Sequence, residues 1–438
     1  MTMHTRRRVA IVSISSLVLL SVGLVTTSAP AGATSPQLPQ TGAAVSAAQW
    51  LGSQVNAQGY IPKSGGGPDL SATAQAVIAL VAANTDLVQA SAALSYLEQH
   101  VDAFVVDTTD GGVDGPGQLA LLILDAAALR QSPTSFGGTN LVSRLLATEQ
   151  TSGADAGLFG TEAQATNFVA GTYNQGLALA ALRAAGVTGT GQVTSAVAWL
   201  AGQQCADGGW TLPDEALNPC NGNPAVGAGP DTNSTSLAVQ GIAAQGGLTP
   251  TIGSNATAFF TAGQDADAGF SYNPTTMATP GTTDPDSTAL SIQALLALGN
   301  SPTGATFTKG SATPVSALLS FQLTCGSGAG AFYYPGNRTS PNIIATYQSI
   351  PALAGRTLPL LGGSGGGVAS GGGPANSTVP TTAVTATISG PASPACGGYW
   401  EVAADGGILS FGDAKFLGSM GGKHLNAPIV GMAADLAT

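Results

Sequence analysis

The chain has 438 residues, with 12 Lys plus Arg against 23 Asp plus Glu and a formal net charge of −11. Such a surface repels a phosphate backbone, which excludes nucleic acid as a partner. Aromatics make up only 5% of residues while glycine reaches 61; small side chains let helices approach closely and leave little material for a bulky aromatic pocket.

Residues 1–33 read as an export signal, with an uncleaved membrane anchor as the alternative. Arg6, Arg7 and Arg8 form a basic start, Val9 to Val25 an apolar stretch, and Ala31-Gly32-Ala33 a small-residue cleavage site. A secreted, extracellular protein is expected, with cell-wall association as a variant, and no membrane span is expected after cleavage. Leu38-Pro39-Gln40-Thr41-Gly42 matches a sorting signal in letters but lies at the wrong end without an apolar tail, so it reads as chance.

A repeat fills residues 43–362. One half of each unit is an apolar helix ending in glutamine, followed by glycine and an aromatic, as in AWLAGQQCADGGW (198–210) and FFTAGQDADAGF (259–270). The glutamines are Gln54, Gln99, Gln150, Gln204, Gln264 and Gln322, and SYLEQHVDAF (95–104) is a degraded copy. Glycine there ends the helix in a left-handed turn, and the aromatics Tyr60, Phe159, Trp210, Phe270 and Phe332 fold back as packing. The other half is a helix apolar all round, hence buried, over 71–82, 117–129, 172–186, 234–246, 287–299 and 343–355. The series begins with an outer helix and finishes with an inner one. The expected fold is therefore all-α: a closed α/α toroid of six helical hairpins whose first and last elements meet, since an open solenoid needs polar caps.

Each inner helix carries a glutamine: Gln75, Gln118, Gln175, Gln240, Gln293 and Gln348. On parallel helices these amides circle one rim and offer donors and acceptors to a polar ligand without charge. The competing reading gives each to a neighbouring helix end or buried water. Tyr173 and Tyr347 are the aromatics offered by the inner helices, and Tyr333 and Tyr334 beside Phe332 are placed at the edge of a ligand mouth. Asp284 and Asp286 precede the fifth inner helix in TTDPDSTALSIQALLALG (282–299). Capping is their first reading, because Asp69, Asp231 and neighbouring Ser and Thr occupy similar places. Proton donation into a cavity is the second.

Export makes the four cysteines interpretable. Cys205 and Cys220 flank a loop and are expected to form a disulfide, leaving Cys325 and Cys396 to tether the tail. The histidines His4, His100 and His424 have no metal-ligand spacing, and Asp265 and Asp267 near Asp284 have no calcium-loop spacing, so no metal is expected. Residues 363–395 form a Gly/Ser/Thr/Pro linker, and 396–438 a single β-repeat unit, short enough to be marginal alone.

Gln204 to Trp210 has the form Gln-x3-Gly-x-Trp. With the alternating helices, it resembles the prenyltransferase and squalene-cyclase repeat superfamily over 43–362. Asp284-Pro285-Asp286-Ser287-Thr288-Ala289 resembles the acidic motif of class II terpenoid cyclases, with Asp286 at the donor position and Ser287 at the third acidic place. Zinc ligands of the protein prenyltransferases and the thioester motif of complement-type domains have no counterpart. The stretch 340–361 is similar to the closing helix of the intrinsic factor and transcobalamin family at Gln348, Pro351, Ala352, Leu353 and Gly355, with Arg356 replacing Lys. That resemblance implies cobalamin as a ligand. The tail resembles one unit of a repeat found at the C-termini of secreted actinobacterial proteins.

The leading functional expectation is non-catalytic binding at the barrel mouth, of a small molecule (cobalamin-like or isoprenoid) or a cell-surface component. The alternative is a class II terpenoid cyclase with Asp286 as acid, and a third reading is a structural module whose barrel is filled by side chains.

Overall fold

The computed structural model describes residues 42–108, 111–166, 169–214, 216–221, 229–274, 276–277 and 280–360, together with 399–402, 408–411 and 419. The export segment, the linker, Cys396 and most of the tail lie outside the described residues.

Helices dominate. In chain order they are α1 (Gly42–Gln54), α2 (Leu70–Ala82), α3 (Leu87–Glu98), α4 (Val101–Val105), α5 (Pro116–Ala128), α6 (Leu141–Ala147), α7 (Glu162–Thr166), α8 (Thr172–Ala184), α9 (Gly191–Gly202), α10 (Thr232–Ala244), α11 (Pro250–Gly263), α12 (Pro285–Ala297), α13 (Pro314–Leu319) and α14 (Ile343–Leu353). Antiparallel two-residue strands bridge some outer and inner helices: β1 (Ile61–Pro62) with β2 (Pro68–Asp69), β3 (Val106–Asp107) with β4 (Val113–Asp114), and β5 (Trp210–Thr211) with β6 (Pro230–Asp231). In the tail, β7 (Tyr399–Val402) pairs with β8 (Ile408–Phe411). The degraded copy at 95–104 is not one helix: α3 ends at Glu98 and α4 restarts at Val101.

Four inner helices start the same way. Asp69, Asp231, Asp284 and Asn342 each accept a hydrogen bond from the backbone N–H three residues on, satisfying a donor the helix leaves open. One turn in, Thr73, Thr235, Thr288 and Thr346 accept the N–H of Ile61, Trp210, Phe270 and Phe332. Each threonine thus ties the end of an outer hairpin to the first turn of an inner helix. In α8 the same place belongs to Gln175, whose Oε1 accepts from Phe159 N at 2.9 Å.

The helices α2, α5, α8, α10, α12 and α14 pack each on the next, α14 packs on α2, and α1 packs on α14. Their N-termini lie at one end, since Thr172 N donates to Pro213 O and Thr232 N to Tyr272 O, each in the loop ahead of the following inner helix. The outer glutamines act as staples: Gln204 Nε2 reaches Gly208 O and Ile252 O, Gln264 Nε2 reaches Ala268 O and Phe307 O, and Gln322 Nε2 reaches Gly330 O and Ala43 O. These three close their own turns and hold the next element, Gln322 holding the first helix. Gln150 Nε2 reaches only Gly160 O, and Gln54 and Gln99 bond to Trp50 O and Ser95 O of their own helices. Close approach explains the glycine count at α8 and α10, where a Cβ on Gly176 would lie 2.2 Å from Leu237 O. Cys205 and Cys220 form a disulfide with Cα atoms 5.4 Å apart, as expected. Among the described residues no helix is long and apolar enough to cross a membrane.

Candidate functional site at the inner-helix mouth

Counted from each inner helix's first residue, the side chains that line one interior cavity come mostly from the sixth and ninth places. It is lined by Tyr173 (second), by Gln75, Leu121, Leu177, Leu237, Leu290 and Gln348 (sixth), and by Ile78, Gln293 and Pro351 (ninth), with Tyr347 and Leu358. Its volume is about 30 Å³, room for one or two waters. Leu358 helps fill it: the chain turns back after α14, and Leu358 N donates to Gln240 Oε1 at 3.0 Å.

This register corrects the expected ring of glutamines, which lie at four levels: third (Gln118), fourth (Gln175), sixth (Gln75, Gln348) and ninth (Gln240, Gln293). Gln175, 1% exposed, is consumed by Phe159 N, Gly157 O and Ala196 O in a packed junction, so it is no ligand group. Gln240 is engaged by Ser236 O and Leu358 N. Gln75, Gln293 and Gln348 do share the cavity. Gln118 is half-buried near the start of α5 and does not line it.

Asp284 is a cap, 3% exposed, accepting Ser287 N at 2.8 Å. Asp286 is the second residue of α12, on the inward face, and its Oδ1 is buried without a hydrogen-bond partner. Burial, and then the charge of Asp284, holds the Asp286 carboxyl up at about 7. The second residue of α10, Asn233, likewise has a buried, unpartnered Oδ1, and so does Gln348 at Oε1. Asp231, the α10 cap, is raised to about 6 by burial against the pull of the backbone N–H groups it accepts.

Tyrosines surround these groups. Tyr173 is pushed up to about 12 by burial and then by Asp286 and Asp231. Tyr347 is raised by burial, then by Tyr173 and Asp286; Tyr334, 41% exposed, by burial and then by Asp284 and Asp286. Tyr333 does not join them: its hydroxyl donates to Ser320 O and its ring packs 5.4 Å from Phe321. Tyr272, raised by burial and then by Asp231, is a neighbour that sequence reasoning missed. Asp265 and Asp267 share Thr283, whose Oγ1 lies 2.8 Å from an oxygen of each. Among the described residues no group of three His, Cys, Asp or Glu could hold a metal. Cys325 sits just ahead of a single 3-10 turn, Gly326–Gly328.

No family model matches the chain, and no match is found among curated proteins. Solved structures similar to it include terpene cyclases and a protein prenyltransferase. One is ent-copalyl diphosphate synthase from Streptomyces platensis, at 17% identity over 65% of this chain and 50% of that one, TM-score 0.42; this chain spans half of that enzyme's length. Another is the type II terpene cyclase MstE from Scytonema, at 17% identity over 73% and 98%, TM-score 0.48. A third is Candida albicans protein geranylgeranyltransferase-I, at 11% identity over 66% and 86%, TM-score 0.44. All three overlaps fall below a TM-score of 0.5, so the reading of the site rests on its own residues.

Proposed function

We propose that this protein is a secreted α/α toroid of six hairpins that binds a small molecule at the mouth formed by the N-termini of its inner helices, without chemistry. One observation carries the reading: Asp286 and Asn233, each the second residue of its inner helix, keep a buried Oδ1 without a hydrogen-bond partner. The cavity between the inner helices holds about 30 Å³, against the roughly 300–1,000 Å³ of sites that enclose a small molecule. An isoprenoid chain has no room inside, whereas the mouth offers Asp286, Asn233 and the rings of Tyr173, Tyr334 and Tyr347. The expected organisation is a signal at 1–33, the toroid at 43–362, a linker at 363–395 and a β-repeat unit at 396–438. Cobalamin as ligand is supported by the 340–361 resemblance alone, and a cell-surface component is the other partner of the same reading. Native mass spectrometry of protein purified from its own host tests the proposal: a retained small molecule lost on Asp286→Asn supports it, and bare protein under non-denaturing conditions argues against it.

A second reading is favoured by one group. Asp286 keeps its proton up to about 7 with an oxygen unpartnered, which suits an acid that protonates an alkene. It requires the Leu358 segment to withdraw and open the interior. Incubation with squalene or geranylgeranyl diphosphate, against Asp286→Asn, tests it; no product above that control ends it.

A further inference from the structure

We propose that Asp125 makes the seam between α2 and α5 a proton-dependent joint of the toroid, closed while the carboxyl is protonated and loosened when it ionises. This does not rest on the mouth-binding reading. Asp125 is the tenth residue of α5, 0% exposed, and neither carboxyl oxygen has a hydrogen-bond partner. At the same place the other inner helices carry Ala79, Ala181, Gly241, Ala294 and Ala352, all buried. One acid thus stands in a ring of small residues. Two close approaches show which neighbour that place faces. A Cβ on Gly241, the tenth residue of α10, would lie 2.4 Å from Gly176 O on the preceding inner helix, α8. Asn174, third in α8 and so on the same face as its tenth residue, crowds the preceding helix in turn: a Cβ on Gly117 of α5 would lie 2.3 Å from Asn174 Oδ1. For Asp125 the preceding inner helix is α2, and α2 packs on α5.

The surroundings offer the carboxylate nothing. The helix α2 carries no ionisable side chain. On the other helices packed against α5, Tyr96 of α3 stacks on His100, Glu98 of α3 accepts Gly137 N, and Asp102 of α4 pairs with Arg144 of α6. On α8, Tyr173 lines the interior cavity and Arg183 is exposed. None of these acts on Asp125: burial is what pushes its carboxyl well up from the ordinary 3.8. A carboxylate left with neither partner nor water is far costlier than the protonated acid, so ionisation favours an arrangement that admits water. The sign follows: the preference for the closed seam is fully present below pH 3.8 and is lost as pH rises through the raised folded value. Gln75 and Ile78 of α2 and Leu121 of α5 line the interior cavity, so loosening this seam opens the interior from the side.

The test is amide hydrogen exchange of the full-length protein, read helix by helix by mass spectrometry at pH 5 and pH 9 and corrected for intrinsic amide rates. Between the two, protection of α2 and α5 is expected to fall at least tenfold more than that of α10. Asp125→Asn keeps the shape of the side chain without its charge, and Asp125→Ala places there the residue that four other inner helices carry. In both variants the excess loss in α2 and α5 is expected to disappear. Asp286, at about 7, also titrates in this range, but it is common to the wild type and both variants and cancels in the comparison. An equal fall in all three helices of the wild type overturns the proposal, as does unchanged protection there. The same excess in both variants overturns it too, since the joint would then work without the carboxyl.

Discussion

Asp284 and Asp286 stand two residues apart, and the helix start divides their work. Asp284 Oδ1 accepts the backbone N–H of Ser287, while Asp286 turns inward with Oδ1 unpartnered. Its folded-state carboxyl lies at about 7, above the ordinary 3.8. The sign follows: stability from this group is fully present below pH 3.8 and is lost as pH rises through 7. Asp286→Asn is therefore expected to be more stable than wild type at pH 8, on the order of 1–2 kcal/mol after allowing for screening at the open side, with the gap closing near pH 4. Urea denaturation at the two pH values checks it, and equal midpoints at pH 8 would mean the carboxyl is solvated. The Asp284–Asp286 pair was legible in the sequence because two acids before an apolar run are conspicuous. Asn233 was not, since it becomes informative only when the inward register is known.

The hairpin elements show a similar division. Gln-x3-Gly could be read from the chain because each part acts locally: Gln204 staples the turn, and Gly208 takes φ +94° where a Cβ would lie 2.0 Å from Asn255 O. Gly208→Ala is expected to lower stability by about 2 kcal/mol or more, through positive φ and a backbone clash together, measured as a drop in urea midpoint. The threonine tie was written as plainly, as Asp or Asn followed four residues later by Thr, yet it passed unnoticed. Its partner lies 12 to 25 residues upstream, and no periodicity marks a single hydroxyl. Gln175 shows the cost of missing it. Read as a rim glutamine, it is the threonine's substitute, bonded to Phe159 N. Thr235→Val leaves Trp210 N–H buried without its acceptor, and a loss of about 1–3 kcal/mol is expected. Thr235→Ser, which keeps the hydroxyl, is expected to recover most of it, and failure to do so would assign the loss to packing instead.

At the scale of the molecule, the alternation of outer and inner helices was legible because buried helices lack a polar face, and the chain order alone implied that its ends meet. What sequence periodicity could not show is how full the interior is. Inward positions are large at the sixth place and mixed at the ninth, and their sum leaves a small gap that a residue beyond the last helix closes. Leu358 belongs to no helix, so no pattern pointed to it, yet it lines the cavity and bonds to Gln240 through its N–H. Leu358→Ala leaves that backbone bond in place and removes only the side chain. The expected result is a loss of about 2–3 kcal/mol, because the surrounding helices relax only in part. The space opened in this way adjoins Leu121, Leu177, Leu237 and Leu290 as well as Gln75, Gln293 and Gln348, so a small apolar guest enters it in competition with water. Benzene is therefore expected to raise the melting temperature of Leu358→Ala and to leave the wild type unchanged, since only the variant has a cavity for it. An equal shift in both proteins would show that the interior already admits a guest past Leu358, and that would restore the enclosed isoprenoid site over the open mouth.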